Sequence, residues 1–588
     1  MLPGTQGTID YEYDELNRLT AKLFALHPSL NTSYQYDLGS RMTDADVVGG
    51  AQIHRTYDNL NRLFTSTQTL NSSPFTLHYS YYDNDLLKNT TYPSGKFVEY
   101  TYDDIDRMDL VKVGGATLAD YDYDPLDRRD TKTFSGLPSQ QQADYTFDIA
   151  NQLESIVNQI LPSTNISTYA YPDYDHVGNR RQIDITYEGT GPVSTTYGYN
   201  DIYELTDVNA VGVYQYDLVK NRELAEGDIY TLKPNGLNQY DTAGSKTFDY
   251  DDNGNLTGDG INTYVYDEEN RLASSQSPAA SSQYEYDALN RRVSKDVDGE
   301  VIYFIYDGDN VIEERDGTGI LIAEYVMGDD IDEVLTMARG GTDYYYHYDG
   351  LGSVTEITNN SGVIVENFEY DSYGNPSVAS SLIGNPYFFT GRRWDEESGI
   401  YYYRARMYDP TIGRFLQRDP IGYTLDSLNL YEYAFNNPIR YTDPLGLYQY
   451  ETTNWGIAFL HESNPFNADG GFYQQANEMG EFLGSVSNSA INTGQKAWQF
   501  HQEIHANMRQ MGRDTPVGSA WGYEILAGGE MMGLGGLLMK GGAAGIAEGG
   551  ALGVFGGGFF IIIGGEVVWL GYDYFKGLGE RNTNFCEK

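Results

Sequence analysis

Cysteine is all but missing from this chain, where Cys586 stands alone. Its scarcity excludes an internal disulfide framework and any zinc site built on thiolates. Basic residues are also few. Lys and Arg total 38 against 85 Asp and Glu, giving a formal net charge of −47. Such a surface repels phosphate backbones, so direct nucleic-acid binding by the chain as a whole is disfavoured. The charge serves solubility. A sharper reading is that an acidic interior or surface holds a basic or unfolded cargo. The opening MLPGTQGTIDYEYDELNRLT lacks a basic n-region and an apolar h-region. No signal peptide is visible there, so a secreted or cell-surface location would need a route independent of one. Calcium loops of the D-x-D-x-D-G type, H-E-x-x-H helices and phosphate loops are missing too, so no metal and no cofactor is expected.

What the chain has is tyrosine, 54 of them against 23 Phe and 5 Trp, together with 65 glycines. Tyr favours strands, covering a half-buried pleat while its hydroxyl finds a partner. Gly, Asn and Asp supply turns. A self-similar unit recurs up to about residue 375. YEYDELNRLT starts at Tyr11, YQYDLGSRMT at Tyr34, YTYDDIDRMD at Tyr100, YDYDPLDRRD at Tyr121, YVYDEENRLA at Tyr264 and YEYDALNRRV at Tyr284. In Y-x-Y both rings share one strand face, predicting tyrosine ladders with rings meeting across neighbouring strands. The Asp closes the strand by accepting backbone N–H groups, and Asn tolerates the left-handed turn that follows. Each unit is then a hairpin that cannot bury its face alone, so units must stack. The tyrosines read as framework rather than sugar platforms, and the aspartates as turn formers rather than calcium ligands. A repeat already under way by Tyr11 suggests the C-terminal part of a longer ancestral protein.

These units resemble the YD repeats of Rhs (rearrangement hotspot) and teneurin-like proteins. The block GRRWDEESGIYYYRARMYDPTIGRFLQRDPIGYTLDSLNLYEYAFNNPIRYTDPLGL, residues 391–447, resembles the Rhs-associated core domain that closes such arrays. The resemblance implies a β-sheet spiralling into a hollow shell around a C-terminal cargo. The expected architecture is therefore mainly β: a YD-repeat hairpin shell over 1–375, an Rhs core domain over 376–447, and a mostly α effector over 448–588.

Three Asp-Pro steps punctuate that block, at Asp409, Asp419 and Asp443. Asp-Pro is a turn signal, and for Asp409 a turn is the whole reading. Two carboxylates brought together in a shielded site cannot both ionise, so one keeps its proton and the other serves as base. A nearby cation, from Arg404, Arg406, Arg414 or Arg418, could hold the pair. Residue chemistry alone leaves both the pair and the arginine open. The family resemblance implies more, because the Rhs core and the C subunits of Tc toxins look like intramolecular aspartic proteases. They cut after P-x-x-x-x-D-P-x-G-L, met here by Pro438, Asp443, Pro444, Gly446 and Leu447. The second aspartate of the family matches Asp419 in RDPIG. Its arginine matches Arg406 in RARMYDP, with Arg414 in GRF as the runner-up. The implied cut is Leu447–Tyr448.

Beyond Leu447 the tyrosine pattern stops. Residues 448–520 read as helical; His501 and His505 share a face there, better explained as an ordinary polar face than as a metal pair. Residues 525–572 are Gly-rich and apolar. Gly541, Gly545, Gly549, Gly553 and Gly557 recur every four residues, predicting a glycine-zipper helix suited to a membrane. The charge-free run of 549–565 lies at the short limit for a bilayer. No nucleophile triad or phosphate loop makes this tail readable as an enzyme. The expected function is a polymorphic-toxin shell that cuts itself and frees its tail. A cognate immunity protein and a secretion-system or shell partner are implied. The alternative is a teneurin-like adhesion or carbohydrate-binding protein, with the tail as a membrane anchor.

Overall fold

A computed structural model of the chain describes residues 7–423, 428–447 and 449–451, and strands at Ala551–Phe555, Gly558–Ile563 and Glu566–Gly571. Tyr448, His501 and His505 lie outside the described residues. So do Gly541, Gly545, Gly549 and Gly557. From Ile9–Tyr13 to Val211–Gly212 every strand pairs antiparallel with its successor, forming one long meander. A short sheet follows over 214–247, and a second long meander runs from Asp249–Tyr250 to Ile364–Asn367. Along Leu63–Leu70 and its neighbours burial alternates residue by residue, as a sheet with one covered face requires.

The repeat explains each turn. At Asp124, one carboxylate oxygen accepts the Leu126 and Arg128 N–H groups at 2.8 and 3.1 Å. The other accepts Arg128 Nε at 2.7 Å. Asp127 takes the left-handed backbone at φ 65°, where other units carry an Asn such as Asn17, Asn61, Asn270 or Asn290. The second tyrosine of each Y-x-Y departs from the expected ladder. Its ring meets an arginine of the preceding unit: Arg107 lies 4.3 Å from the Tyr123 ring centre, and Arg271 4.9 Å from that of Tyr286. The same tyrosine hydroxyls donate back to carbonyls of that unit, Tyr123 to Met108 and Tyr286 to Leu272. Rings alternate with guanidinium planes because Arg follows the turn Asn in register with the next tyrosine.

Several tyrosines of the first meander are buried and bind the two meanders to each other. Tyr34 donates to the Ala288 carbonyl, and Tyr79 to Asp307 at 2.9 Å. Residues 368–447 pack onto both sheets as an irregular block around an aromatic nest. Tyr408 and Tyr433 lie 4.3 Å apart between ring centres, and Trp394 and Tyr401 4.6 Å. A four-stranded sheet threads this nest, including Ile400–Tyr403, Arg406–Asp409 and Arg414–Phe415.

The chain divides into two compact units. The first holds every described residue from 7 to 451, and the second holds the strands of 551–571. Those strands correct the helical zipper over this stretch. Ala551–Phe555, Gly558–Ile563 and Glu566–Gly571 form an antiparallel meander in which Gly553 pairs with Phe560. The physical reason lies in the sequence. Gly-Gly separates each strand from the next, a two-residue hairpin signal, and the aliphatic and aromatic runs between favour strand. Glycine every four residues makes a poor helix in water. Among the described residues no helix is long and apolar enough to cross a membrane.

Candidate functional site: a carboxylate pair on one arginine

The strand Arg406–Asp409 delivers Arg406 into a buried corner of the block, its guanidinium 3.6 Å from the Phe415 ring centre. One nitrogen, Nη2, contacts both Asp419 Oδ2 at 3.0 Å and Asp443 Oδ2 at 3.1 Å. The remaining donors hold main chain. Nε donates to the Gly446 carbonyl at 2.6 Å and Nη1 to the Leu430 carbonyl at 3.1 Å. A charged fork that reads two carboxylates and two carbonyls at once has little freedom to turn.

Asp443 is fully buried, and its second oxygen accepts the Leu447 N–H at 2.9 Å. Asp419 differs. Its side chain is 19% exposed and borders a cavity of about 350 Å³ that Asp252, Glu269, Gln417 and Arg418 also line. Burial pushes the Asp419 carboxyl above the ordinary carboxylate value, opposed by Arg406 and by the Ile421 N–H. Water therefore reaches the pair from the Asp419 side, while Asp443 sits against the chain at Leu447.

The segment 443–447 is held along its backbone. Arg404 Nη1 donates to the Pro444 carbonyl at 2.7 Å, the Ala405 N–H to that of Leu445 at 3.1 Å, and Arg406 to that of Gly446. Gly446 adopts φ 66°, and a Cβ there would collide with the Tyr403 carbonyl and crowd the Arg406 nitrogen. Only glycine lets the two segments approach so closely. Pro438 is buried just ahead, where the neighbouring Ile439 carbonyl accepts from Arg180.

Arg414 belongs elsewhere. It stacks on Tyr240 at 3.9 Å and donates to Asn221, Asn429 and the Asn238 carbonyl, fastening the block to repeat turns. Asp409 caps its own turn, accepting the Thr411 N–H and hydroxyl. Arg404 rests on Asp332, a partner 72 residues upstream that also holds Arg392. Sequence reasoning missed Asp332, since nothing in GDDIDEV marks it. The spacing of Arg404 two residues before Arg406 was the one available signal. Among the described residues, no cluster of His, Cys, Asp or Glu could hold a metal ion.

Known proteins share the repeat and part of this block. Residues 173–439 match the family model described as teneurin YD-shell. That segment is a YD-shell repeat region. The chain is 35% identical over 264 residues to a tRNA3(Ser)-specific nuclease WapA of Bacillus spizizenii, covering 42% of this chain and 11% of that protein. Toxin subunit YenC2 of Yersinia entomophaga is 39% identical over 108 residues, 17% of the chain and 11% of the subunit. The YD shell thus spans about a tenth of the length of these relatives. In three dimensions it resembles a TcdB2–TccC3–TEV crystal structure with TM-score 0.50 and 14% identity, over 75% of this chain and 28% of that one. That likeness agrees with a mainly β fold of many antiparallel hairpins.

Proposed function

We propose that the YD shell encloses the C-terminal part of its own chain and cuts itself once, between Leu447 and Tyr448. Asp419 and Asp443 form the reacting pair, and Arg406 is the cation that holds them. The observation that carries this reading is the single Arg406 nitrogen between the two carboxylates, with Asp443 also bonded to the Leu447 N–H. A water arriving at the Asp419 side gives a proton to the pair as its oxygen attacks the Leu447 carbonyl carbon. The C–N bond to Tyr448 breaks, and the proton passes to the leaving nitrogen. The three carbonyls held at Pro444, Leu445 and Gly446 support this reading, in which the next peptide is presented to the carboxylates.

Residues 448–588 are the released effector. By analogy with the nuclease and toxin relatives the effector is a toxin, with a cognate immunity protein and a signal-peptide-independent route out of the cell. The apolar, charge-poor segment 525–572 makes a membrane the first target to assay. The test compares wild type with Asp419→Asn and Asp443→Asn by denaturing gel and intact mass. Wild type is expected to yield pieces ending at Leu447 and beginning at Tyr448, and both variants to stay whole. A wild-type chain that stays whole under native folding defeats the reading.

A further inference from the structure

The Asp332–Arg404 ion pair lies outside the reacting trio, yet it reaches the same segment. Asp332 and Arg404 both adopt left-handed backbone, φ 61° and 56°, and both are buried. Asp adopts that conformation readily, but Arg does not, and an outlier such as Arg404 persists where the surroundings over-determine it. Arg404 sits in the tight connection between Ile400–Tyr403 and Arg406–Asp409, where Tyr403 pairs with Arg406 and glycine is the usual occupant. Its guanidinium takes both oxygens of Asp332, at 3.1 and 2.7 Å, and turns its Nη1 to the Pro444 carbonyl at 2.7 Å. Arg392 contacts the same Asp332 oxygen at 2.7 Å and anchors on the Tyr402 carbonyl. Gly391 passes so near that a Cβ would press on the Asp332 backbone oxygen at 2.8 Å. The long meander containing Asp332 is thereby tied to the residue directly after Asp443.

We infer that Arg404, oriented by Asp332, is a positioning residue for self-cleavage. It fixes the Pro444 carbonyl so that the Leu447 peptide meets the carboxylates in one register. This inference rests on the self-cleavage reading. Its task is geometric, exerted through the Pro444 carbonyl. A displacement of about 1 Å at a reacting bond can cost about a hundredfold in rate.

The experiment follows the full-length chain from synthesis and measures the rate of fragment appearance in wild type, Asp419→Asn, Arg404→Gly and Arg404→Lys. Arg404→Gly relieves the left-handed backbone while removing the guanidinium, and thermal melting reports whether it folds. It is expected to cleave at least tenfold more slowly with a pH profile of unchanged shape. Arg404→Lys, retaining one donor, is expected to fall between it and wild type. If Arg404→Gly cleaves at the wild-type rate after Leu447, the inference is wrong. It is also wrong if the pH profile moves, because Arg404 would then belong to the reacting charges. Should Arg404→Gly fail to fold, Arg404→Lys decides: a slower cut at unchanged melting temperature supports the inference, and an unchanged rate overturns it. Cleavage in Asp419→Asn instead sinks the self-cleavage reading itself.

Discussion

Single residues in this molecule carry chemistry that their type does not announce. Glu356 is fully buried and faces three hydroxyls, those of Ser167, Tyr169 and Thr355, rather than a cation. Burial raises its carboxyl to about 7. Between the ordinary glutamate value and about pH 7 the native state therefore keeps a proton that the unfolded chain releases. Its contribution to stability is greatest at acidic pH and falls as pH rises through that window. Glu356→Gln removes the cost, so the variant should gain on wild type by about 2 kcal/mol between pH 5 and pH 8. Melting curves at the two pH values check this, and an unchanged difference would refute it. Arg406 teaches a related lesson about legibility. The motif pointed to it, but only three-dimensional packing separated it from Arg414, because both are buried arginines of one small sheet. Their partners, Asn221 and Asn238 for one and two distant aspartates for the other, leave no local trace in sequence.

At the level of the hairpin, most of the structure could be read in advance. Asp as turn former and Asn in left-handed backbone follow from side-chain chemistry within five residues, and both are present throughout the array. What could not be read was the reach of Arg into the next unit, since strand register decides which ring it meets. That reach predicts unequal costs for equal substitutions. Arg107 is about a quarter exposed, and its pair with Asp103 is screened by water. Arg271 is 10% exposed and bonds Asp267, Glu269 and Asn290 while covering Tyr286. Arg107→Ala should cost no more than about 1 kcal/mol. Arg271→Ala should cost about 3–5 kcal/mol, because it strands the buried Asp267 carboxylate, whereas Glu269 keeps Lys22. Equal losses in urea unfolding would show that burial is not what separates them. The tail failed for a different reason: periodic glycine fits a helix face and a set of hairpins equally, and Gly-Gly between aliphatic runs was the better clue.

For the whole molecule, the consequence to test is retention. If the shell encloses its tail, cutting the chain does not free the piece. The two fragments should then elute together in native size-exclusion chromatography and part only in denaturant. Separate elution under native conditions would show a cut without enclosure. Expression of residues 448–588 alone should then arrest growth where the intact chain does not. An inert tail that merely binds membranes would favour the adhesion reading instead.

The reciprocal bonds between successive units have a temporal side. An arginine of one hairpin waits for the tyrosine of the next, and that tyrosine finds its acceptor in the hairpin already made. As the chain leaves the ribosome from its N-terminus, each wall element is completed only by its successor. The residues of the closing block arrive after all of them, Asp443 to Leu447 last, and they pack against residues supplied by the repeats, Asp332 and Arg180 among them. Scission would then work as an inspection stamp: a severed chain is one whose repeat hairpins were all in place before the cut.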